Sequence, residues 1–171
     1  VLCALNRGPY GAAGMNARIE KRLQQDGVGI GPTAHGRPVI VTVNDPQHSG
    51  LMNGDVGVVL HKVCGYETGV YFPVPGTGQT RRVSVRAMPR HDTAWALTVH
   101  RSQGSEFDTV LLVLPPTTHE LVSSELVYTG VTRARSQVLV AANTKAIRAA
   151  CAWREPRRTG LFEKIRSVMT G

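Results

Sequence analysis

Residues 94–115 read AWALTVHRSQGSEFDTVLLVLP, two apolar runs separated by a polar loop. Near-continuous apolar runs are typical of strands that are covered on both faces, as in parallel sheets. The loop between them carries cations, hydroxyl groups, a glycine and two acids, which a simple connector between buried strands does not need. In an open α/β sheet, ligands bind where loops leave the carboxyl ends of the strands. The stretch therefore predicts a buried sheet with a binding loop.

The chain that follows this stretch alternates helices and strands. A helix, a further buried strand and a second helix are predicted at 123–134, 136–143 and 144–153. Either Ser123 or Ser124 is available as the N-cap of the first helix. A last helix is predicted from an apolar stripe at Leu161, Ile165 and Val168. This alternation indicates an α/β layer with a parallel sheet.

The amino-terminal segment has the same character. An apolar VLCAL run leads into a glycine-rich turn, NRGPYGAAG, and then into a helix. Met15, Ile19 and Leu23 are spaced four residues apart, which places them on one helix face. Gly27 is a suitable residue to end that helix. We expect residues 1–35 to belong to the same α/β domain as residues 93–171.

Residues 36–92 have a different pattern. Short β-branched runs, RPVIVTV, DVGVVLHKV, GVYFPV and RRVSVRAM, alternate with turns rich in Gly, Pro, Asn and Asp. Closely spaced strands of this kind are typical of a small antiparallel barrel. The predicted architecture is therefore an α/β domain, residues 1–35 and 93–171, interrupted by a β-barrel insertion at 36–92.

Composition restricts the function classes. The 171 residues include 20 Lys and Arg against 12 Asp and Glu, a net charge of +8 that favours polyanionic partners. No apolar stretch has the length of about 18 residues that a transmembrane helix needs, so no membrane association is expected. The three cysteines are far apart in sequence and fit a reducing cytoplasm, and neither they nor the histidines have the spacing of a metal site.

Two polar clusters could carry chemistry. In the first, Gly104 would allow close backbone approach to a ligand, Ser102, Gln103 and Ser105 would hydrogen-bond phosphate or sugar, and Glu106 would accept from ribose hydroxyls. The alternative is a polar turn with a helix cap. The second cluster is YTGVTRAR, at 128–135.

The arginines of that second cluster are Arg133 and Arg135. An arginine suits a phosphate whose charge grows during a reaction. If both lay on one helix, residues two apart would point in different directions, so at most one would face the same ligand. The alternative is a pair of solvated helix-surface cations.

Together the two clusters resemble motifs V and VI of superfamily 1 helicases, in AWALTVHRSQGSEFD and ELVYTGVTRAR. The likeness is greatest to the RecD family, the alpha subunits of bacterial exodeoxyribonuclease V. LCALNRGPYGAAGMNARIE resembles the segment after motif IV in that family. GRPVIVTVND and LMNGDVGVVL resemble the start of an SH3-like insertion, which the family carries inside its second RecA-like domain. The resemblance thus implies the same interruption that the turn spacing predicts.

The resemblance assigns roles to individual residues. Arg133 matches the arginine finger that contacts the γ-phosphate of ATP bound between two RecA-like domains, and is the catalytic candidate. Glu106 matches an acid near the nucleotide sugar, and Gly104 lies in the loop that lets the nucleotide approach. Gln103 could serve the nucleotide or the DNA. These last three are the candidate ATP-binding residues.

The DNA side is assigned in the same way. Thr98, His100 and Ser102 lie in the part of motif V that couples the nucleotide cleft to the DNA strand, so the resemblance implies DNA-contact or coupling roles for them. Arg135 occupies a position at which related helicases vary, and it is not expected to be catalytic.

The sequence lacks a G-x-x-x-x-G-K-[ST] motif and an apolar strand that ends in an acidic pair. Together with its start at Val1, this predicts the C-terminal part of a longer motor, inactive alone. The longer protein would use ATP and Mg²⁺, with neither held tightly by this segment. Expected partners are single-stranded DNA, the beta and gamma subunits of exodeoxyribonuclease V, and a preceding N-terminal RecA-like domain.

The family resemblance implies an ATP-dependent 5′-to-3′ DNA helicase that acts in double-strand break repair. Two alternatives remain open at the level of sequence. One is a stand-alone RecD-like helicase, or the helicase part of a conjugative relaxase. The other is a binding module whose barrel docks DNA or protein without a motor role, since fold does not fix function.

Overall fold

The computed structural model describes residues 1–62, 65, 67–74, 76–117 and 119–153. The predicted helix at Leu161, Ile165 and Val168 lies outside the described residues. The α-helices are α1 (Ala12–Gln25), α2 (Ser124–Val131) and α3 (Thr144–Ala152). The strands are β1 (Leu2–Cys3), β2 (Pro38–Val41), β3 (Val56–Leu60), β4 (Gly69–Pro73), β5 (Thr80–Ser84), β6 (His91–Thr93), β7 (Leu97–Thr98), β8 (Phe107–Val113) and β9 (Ala134–Ala141).

Four of these strands form a parallel sheet in the order β7-β1-β8-β9. Leu2 of β1 lies between Leu97 and Leu112, and all three side chains are buried in the main apolar core with Leu126 of α2. The apolar runs that flank the polar loop are therefore neighbours of β1 rather than of each other. The predicted mixed α/β fold with a parallel sheet is confirmed.

Helix α1 covers part of this sheet. Ala12, Met15 and Ile19 pack on a small cluster that contains Cys3 and Val113, as the four-residue spacing predicts. The helix ends at Gln25, and Gly27 follows with a φ of +79°. Glycine adopts that left-handed conformation without strain, so Gly27 lets the chain leave the helix, as predicted.

The glycine-rich turn before α1 packs directly on the first turn of the helix. A Cβ atom on Gly11 would lie 2.3 Å from the carbonyl oxygen of Arg7, and one on Gly14 would lie 2.3 Å from the oxygen of Gly8. Real Cβ atoms do not approach backbone oxygens so closely. Both positions therefore require glycine for a close approach of backbone to backbone.

Two predictions about the chain after residue 123 were wrong. The helix predicted over 123–134 ends at Val131, and the strand predicted over 136–143 starts earlier, at Ala134. Gly130, Val131 and Thr132 are three consecutive weak helix formers, and the pairing of β9 with β8 begins two residues later, at Ala134.

Strand β9 is also not buried. It forms the edge of the sheet, and Leu139 and Val140 are 50% and 43% exposed. Apolar composition suggested a strand covered on both faces, but coverage depends on the elements that flank the strand. Of the described strands, β8 alone pairs with β9.

The remaining five strands form an antiparallel sheet in the order β5-β4-β3-β2-β6. Its own core contains Val39, Val41, Val59, Val70 and Phe72. A 3-10 helical turn, Val85–Ala87, separates β5 from β6. All four β-branched runs predicted from the sequence contribute strands, and β6 extends the sheet to Thr93 at the boundary with the α/β segment.

The two sheets share part of their packing. Ile40 of β2 points away from the antiparallel core and is buried in the α/β core, where Val56 of β3 packs beside it. Asn16 of α1 donates to the carbonyl oxygens of Thr93 and Ala96 and accepts from the Ala96 N–H. The antiparallel module is thus fixed to the α/β part through both apolar contacts and hydrogen bonds. Each helix in the described part of the chain is too short or too polar to cross a bilayer.

Candidate functional site

The polar loop between β7 and β8 runs from the carboxyl ends of the parallel strands, here called the carboxyl edge of the sheet, to their amino ends, called the amino edge. Thr98, where the loop starts, pairs with Cys3, which pairs in turn with Val113 at the carboxyl end of β8. The loop ends at Glu106, directly before Phe107 at the amino end of β8. Strand β8 has 7 residues, so the two ends of the loop are separated by about 20 Å along the strand direction.

The two ends of the loop are fixed by the strands. Thr98 lies at the carboxyl edge of the sheet, and Glu106, directly before Phe107, lies at the amino edge. His100, Ser102 and Gly104 lie in the crossing part of the loop, where the Ser105 N–H donates to the carbonyl oxygen of Ser102 at 3.0 Å. The sequence placed the whole loop at the carboxyl edge, whereas in the fold the loop leaves that edge after Thr98.

In the first half, His100–Ser102 form a 3-10 helical turn. Ser102 is completely buried, and its hydroxyl donates to the carbonyl oxygen of Val99 at 2.7 Å. Thr98 is also buried, and its hydroxyl oxygen accepts from the backbone N–H of Arg101. His100 and Gln103 are exposed. The two hydroxyls therefore shape the turn, while the imidazole and the amide face outward.

Two cavities adjoin this turn. A cavity of 310 Å³ separates it from α2, and its lining includes His100, Gln103, Glu125 and Thr129. A second cavity, of 270 Å³, lies between the turn and the first residues of α1. Its lining includes Asn6, Thr98, Arg101 and Asp92, and the last two form an ion pair at 2.9 Å.

The second half of the loop meets the segment that follows α2. Gly104 has a φ of +83°, a conformation that favours glycine. The backbone N–H of Phe107 donates to the carbonyl oxygen of Arg133 at 2.8 Å, which starts the pairing of β8 with β9. The two clusters recognised in the sequence are thus joined at the amino edge of the sheet.

Arg133 is held by backbone carbonyl groups. Its Nη1 donates to the oxygen of Ser105 and its Nε to the oxygen of Thr129, both at 3.3 Å. Among the described residues, no carboxylate lies within ion-pair distance of its guanidinium. Within the described part of the chain, the group is therefore oriented by neutral partners and has no ion-pair partner.

Arg135 has the opposite arrangement. It lies on β9, and its Nε donates to Oε2 of Glu106 at 3.0 Å in an ion pair whose side chains are 63% and 57% exposed. The sequence did not predict this pair, because the predicted helix continued to Ala134 and the predicted strand began only at Ser136, which left Arg135 between them. The end of α2 at Gly130–Thr132 is the signal that would have placed Arg135 opposite Glu106 on a strand.

Comparison with known proteins identifies the class. Residues 93–141 match the UvrD-like helicase C-terminal domain. The chain is 35% identical to the RecBCD enzyme subunit RecD of Mycobacterium tuberculosis (strain H37Rv), over 100% of this chain and 29% of that protein. It is 36% identical to the RecD subunit of Mycolicibacterium smegmatis, over 97% and 29% of the two chains.

A further relative is the ATP-dependent RecD2 DNA helicase of Deinococcus radiodurans, 34% identical over 98% of this chain and 23% of that protein. The chain thus spans less than a third of the length of these relatives. Among solved structures, it is similar to a Pif1 helicase from Candida albicans, with a TM-score of 0.44 and 17% identity over 86% of this chain and 49% of that one.

Residues 93–141, which match the UvrD-like helicase C-terminal domain, contain both polar clusters. Within that class the chain belongs with the RecD helicases, because its similarity to RecD proteins extends over its whole length. The predicted family resemblance is confirmed, and the chain corresponds to the C-terminal region of those proteins.

Proposed function

We propose that this segment is part of an ATP-dependent 5′-to-3′ DNA helicase that acts in double-strand break repair as the alpha subunit of exodeoxyribonuclease V. The support is its similarity over the whole chain to proteins named as RecD subunits of the RecBCD enzyme. The match to a RecD2 DNA helicase supports a second candidate, a RecD-like helicase without nuclease subunits. Co-purification of the beta and gamma subunits with the full-length protein would separate the two.

The observation that supports the proposal most directly is the set of groups around the Arg133 guanidinium. Two carbonyl oxygens orient its guanidinium, and no described carboxylate neutralises it. An oriented, permanently charged guanidinium stabilises the charge that develops on a γ-phosphoryl group during transfer. We assign Arg133 as the arginine finger, which acts on ATP bound between this domain and a preceding one.

Three neighbouring residues complete the proposed nucleotide side. Glu106 lies beside Arg133 at the amino edge of the sheet, where its carboxylate is suited to accept from ribose hydroxyls. Gly104 leaves the loop open, since no atom lies within 4 Å of the position of a Cβ. Gln103 is exposed directly after the 3-10 turn, so it is available to the nucleotide or to the DNA.

Thr98, His100 and Ser102 are proposed to act on the DNA side. His100 is exposed in the 3-10 turn that follows β7 and is the residue of the three that can touch a DNA strand directly. Thr98 and Ser102 are buried and bonded to the backbone of the turn, which supports coupling rather than contact. Movement of the loop would carry a change at Glu106 to the DNA edge.

We also propose the domain organisation. Residues 1–35 and 93–171 would form a second RecA-like domain, and residues 36–92 an SH3-like barrel within it. The strand order supports the barrel, because a four-strand meander is joined by a fifth strand, β6, that returns beside the first, after a 3-10 turn. This order is that of SH3-like folds.

ATP and Mg²⁺ would be held mainly by a preceding RecA-like domain, because no phosphate-binding loop occurs in this sequence. Arg133 and Glu106 are suited to the outer side of such a nucleotide, and the described residues contain no cluster of three or more potential metal ligands. Single-stranded DNA would be the substrate track, and the cytoplasm the place of action.

Substitution of the finger tests the proposal. Arg133→Ala in the full-length protein should lower DNA-stimulated ATP turnover by about 10³-fold, the low end for arginine fingers. Arg148→Ala removes an exposed arginine of α3 and should leave turnover unchanged. Unchanged turnover in the Arg133 variant, with DNA binding intact, would contradict the assignment.

A further inference from the structure

The amino edge of the parallel sheet holds two arginines and one carboxylate in close contact. Arg133 binds the carbonyl oxygen of Ser105, and Arg135 binds the carboxylate of Glu106, the next residue. Between these two contacts, the Phe107 N–H binds the carbonyl oxygen of Arg133. Three successive residues of the loop are therefore connected to a segment of three residues, Arg133 to Arg135.

This arrangement places Glu106 within reach of Arg133. The carbonyl oxygen that Arg133 binds belongs to the peptide unit that joins Ser105 to Glu106, so it lies about 3 Å from the Glu106 Cα. The Arg133 Nη1 is 3.3 Å from that oxygen. A glutamate side chain is long enough to cover the remaining distance by rotation about its own bonds.

A carboxylate is a stronger partner for a guanidinium than a carbonyl oxygen, because both groups are charged and the contact can be bidentate. Glu106 nevertheless pairs with Arg135, and Arg133 keeps two neutral partners. The pair with Arg135 thus occupies a carboxylate that is close enough to neutralise Arg133.

We propose that Arg135 is a positioning residue that holds Glu106 away from Arg133 and keeps the Arg133 guanidinium open to the nucleotide phosphate. This inference rests on the proposed role of Arg133 in ATP hydrolysis. Arg133 contacts the nucleotide phosphate. Arg135 neutralises the Glu106 carboxylate, which competes with that phosphate for Arg133.

The size of the effect follows from the exposure of the pair. Exposed ion pairs change the population of a side-chain arrangement by up to about fivefold. Without Arg135, Glu106 turns to Arg133 and the fraction of molecules with an open finger falls. Arg135→Ala in the full-length protein should therefore lower kcat for ATP by about fivefold. Arg135→Lys keeps a cation opposite Glu106 and should retain most of the turnover.

The decisive variant is the double substitution Arg135→Ala with Glu106→Gln. A neutral amide competes far less for Arg133, so the double variant should turn over ATP faster than Arg135→Ala alone and about as fast as Glu106→Gln alone. If the ion pair were purely structural, either single substitution would already break it. The double variant would then turn over ATP no faster than Arg135→Ala alone. Absence of rescue would overturn the inference.

Two controls keep the result specific. Arg22→Ala removes an ion pair of the same kind, Nε to carboxylate at 3.0 Å, on the outer face of α1, and should leave kcat unchanged. Arg133→Ala tests the underlying role. If it has no effect, the proposed function fails. If it lowers turnover but the double variant shows no rescue, only the role of Arg135 is overturned.

Discussion

Cys3 shows how strongly position changes the chemistry of one residue. It lies on β1 between Thr98 and Val113, and none of its surface is exposed. Burial disfavours the thiolate and raises the pKa of the Cys3 thiol from 9.0 to about 11. Because this folded-state pKa lies above the ordinary value, the protonated Cys3 thiol contributes to the free energy of unfolding. That contribution is fully present below pH 9.0 and is lost as the pH rises towards 11.

We predict a corresponding difference in thiol reactivity. In a Cys64→Ser variant at about pH 8, an aromatic disulfide reagent should modify Cys151, which is exposed, rapidly. Cys3 should react only after unfolding in guanidinium. Titration of thiols in the native and the unfolded protein checks this expectation. Two rapidly reacting thiols in the native protein would contradict the buried position of Cys3.

At the same scale, residue type predicted the candidates of the site but not their partners. Gly104, Glu106 and Arg133 were identified by type and by family resemblance, and the fold brings Glu106 and Arg133 to one edge of the sheet. The pairing of Arg135 with Glu106 depends on the register of β8 against β9, a non-local property that spacing along the chain does not contain. The burial of Ser102 is non-local for the same reason.

At the scale of elements, α2 carries its own start signal. The Ser123 hydroxyl oxygen accepts from the Leu126 N–H at 3.3 Å, and Ser123 is only 4% exposed. The sequence offered Ser123 and Ser124 as alternative caps, and the structure selects the first. Replacement by Ala leaves a first-turn N–H without a partner in a place that water cannot easily reach.

We therefore predict that Ser123→Ala lowers the free energy of unfolding by about 1 kcal/mol. Ser124→Ala is the matched control, since Ser124 is the first residue of α2 and does not cap it, and its effect should be close to zero. Urea denaturation followed by circular dichroism measures both. Equal losses for the two variants would contradict the capping role.

Local patterns predicted α1, α3 and the strands β2 to β5, because turn residues and side-chain spacing are properties of the chain itself. Strand β9 was misjudged as buried, since its exposure follows from its place at the sheet edge. Strand β7, Leu97–Thr98, is also shorter than the apolar run suggested, and it ends early because the chain turns into a 3-10 helix at His100. In each case the error lies in what surrounds an element rather than in its own sequence.

At the scale of the whole molecule, Ile40 connects the two sheets. Successive side chains of a strand point to opposite faces, so Val39 and Val41 enter the antiparallel core while Ile40 enters the α/β core. Ile40 is 1% exposed and lies with Leu2, Leu97 and other residues of the parallel sheet. The inserted module therefore contributes to the core of the domain that it interrupts.

This sharing predicts that the two sheets unfold together. Ile40→Ala should lower the free energy of unfolding by about 3 kcal/mol, through lost apolar burial and the cavity left behind. Val43→Ala, at a site that is 48% exposed, should have little effect. Denaturation curves from tryptophan fluorescence and far-ultraviolet circular dichroism should coincide in both variants. The unsubstituted protein should likewise show a single unfolding transition. If its fluorescence and circular dichroism curves showed two separate transitions, the packing of Ile40 in the α/β core would not couple the two sheets.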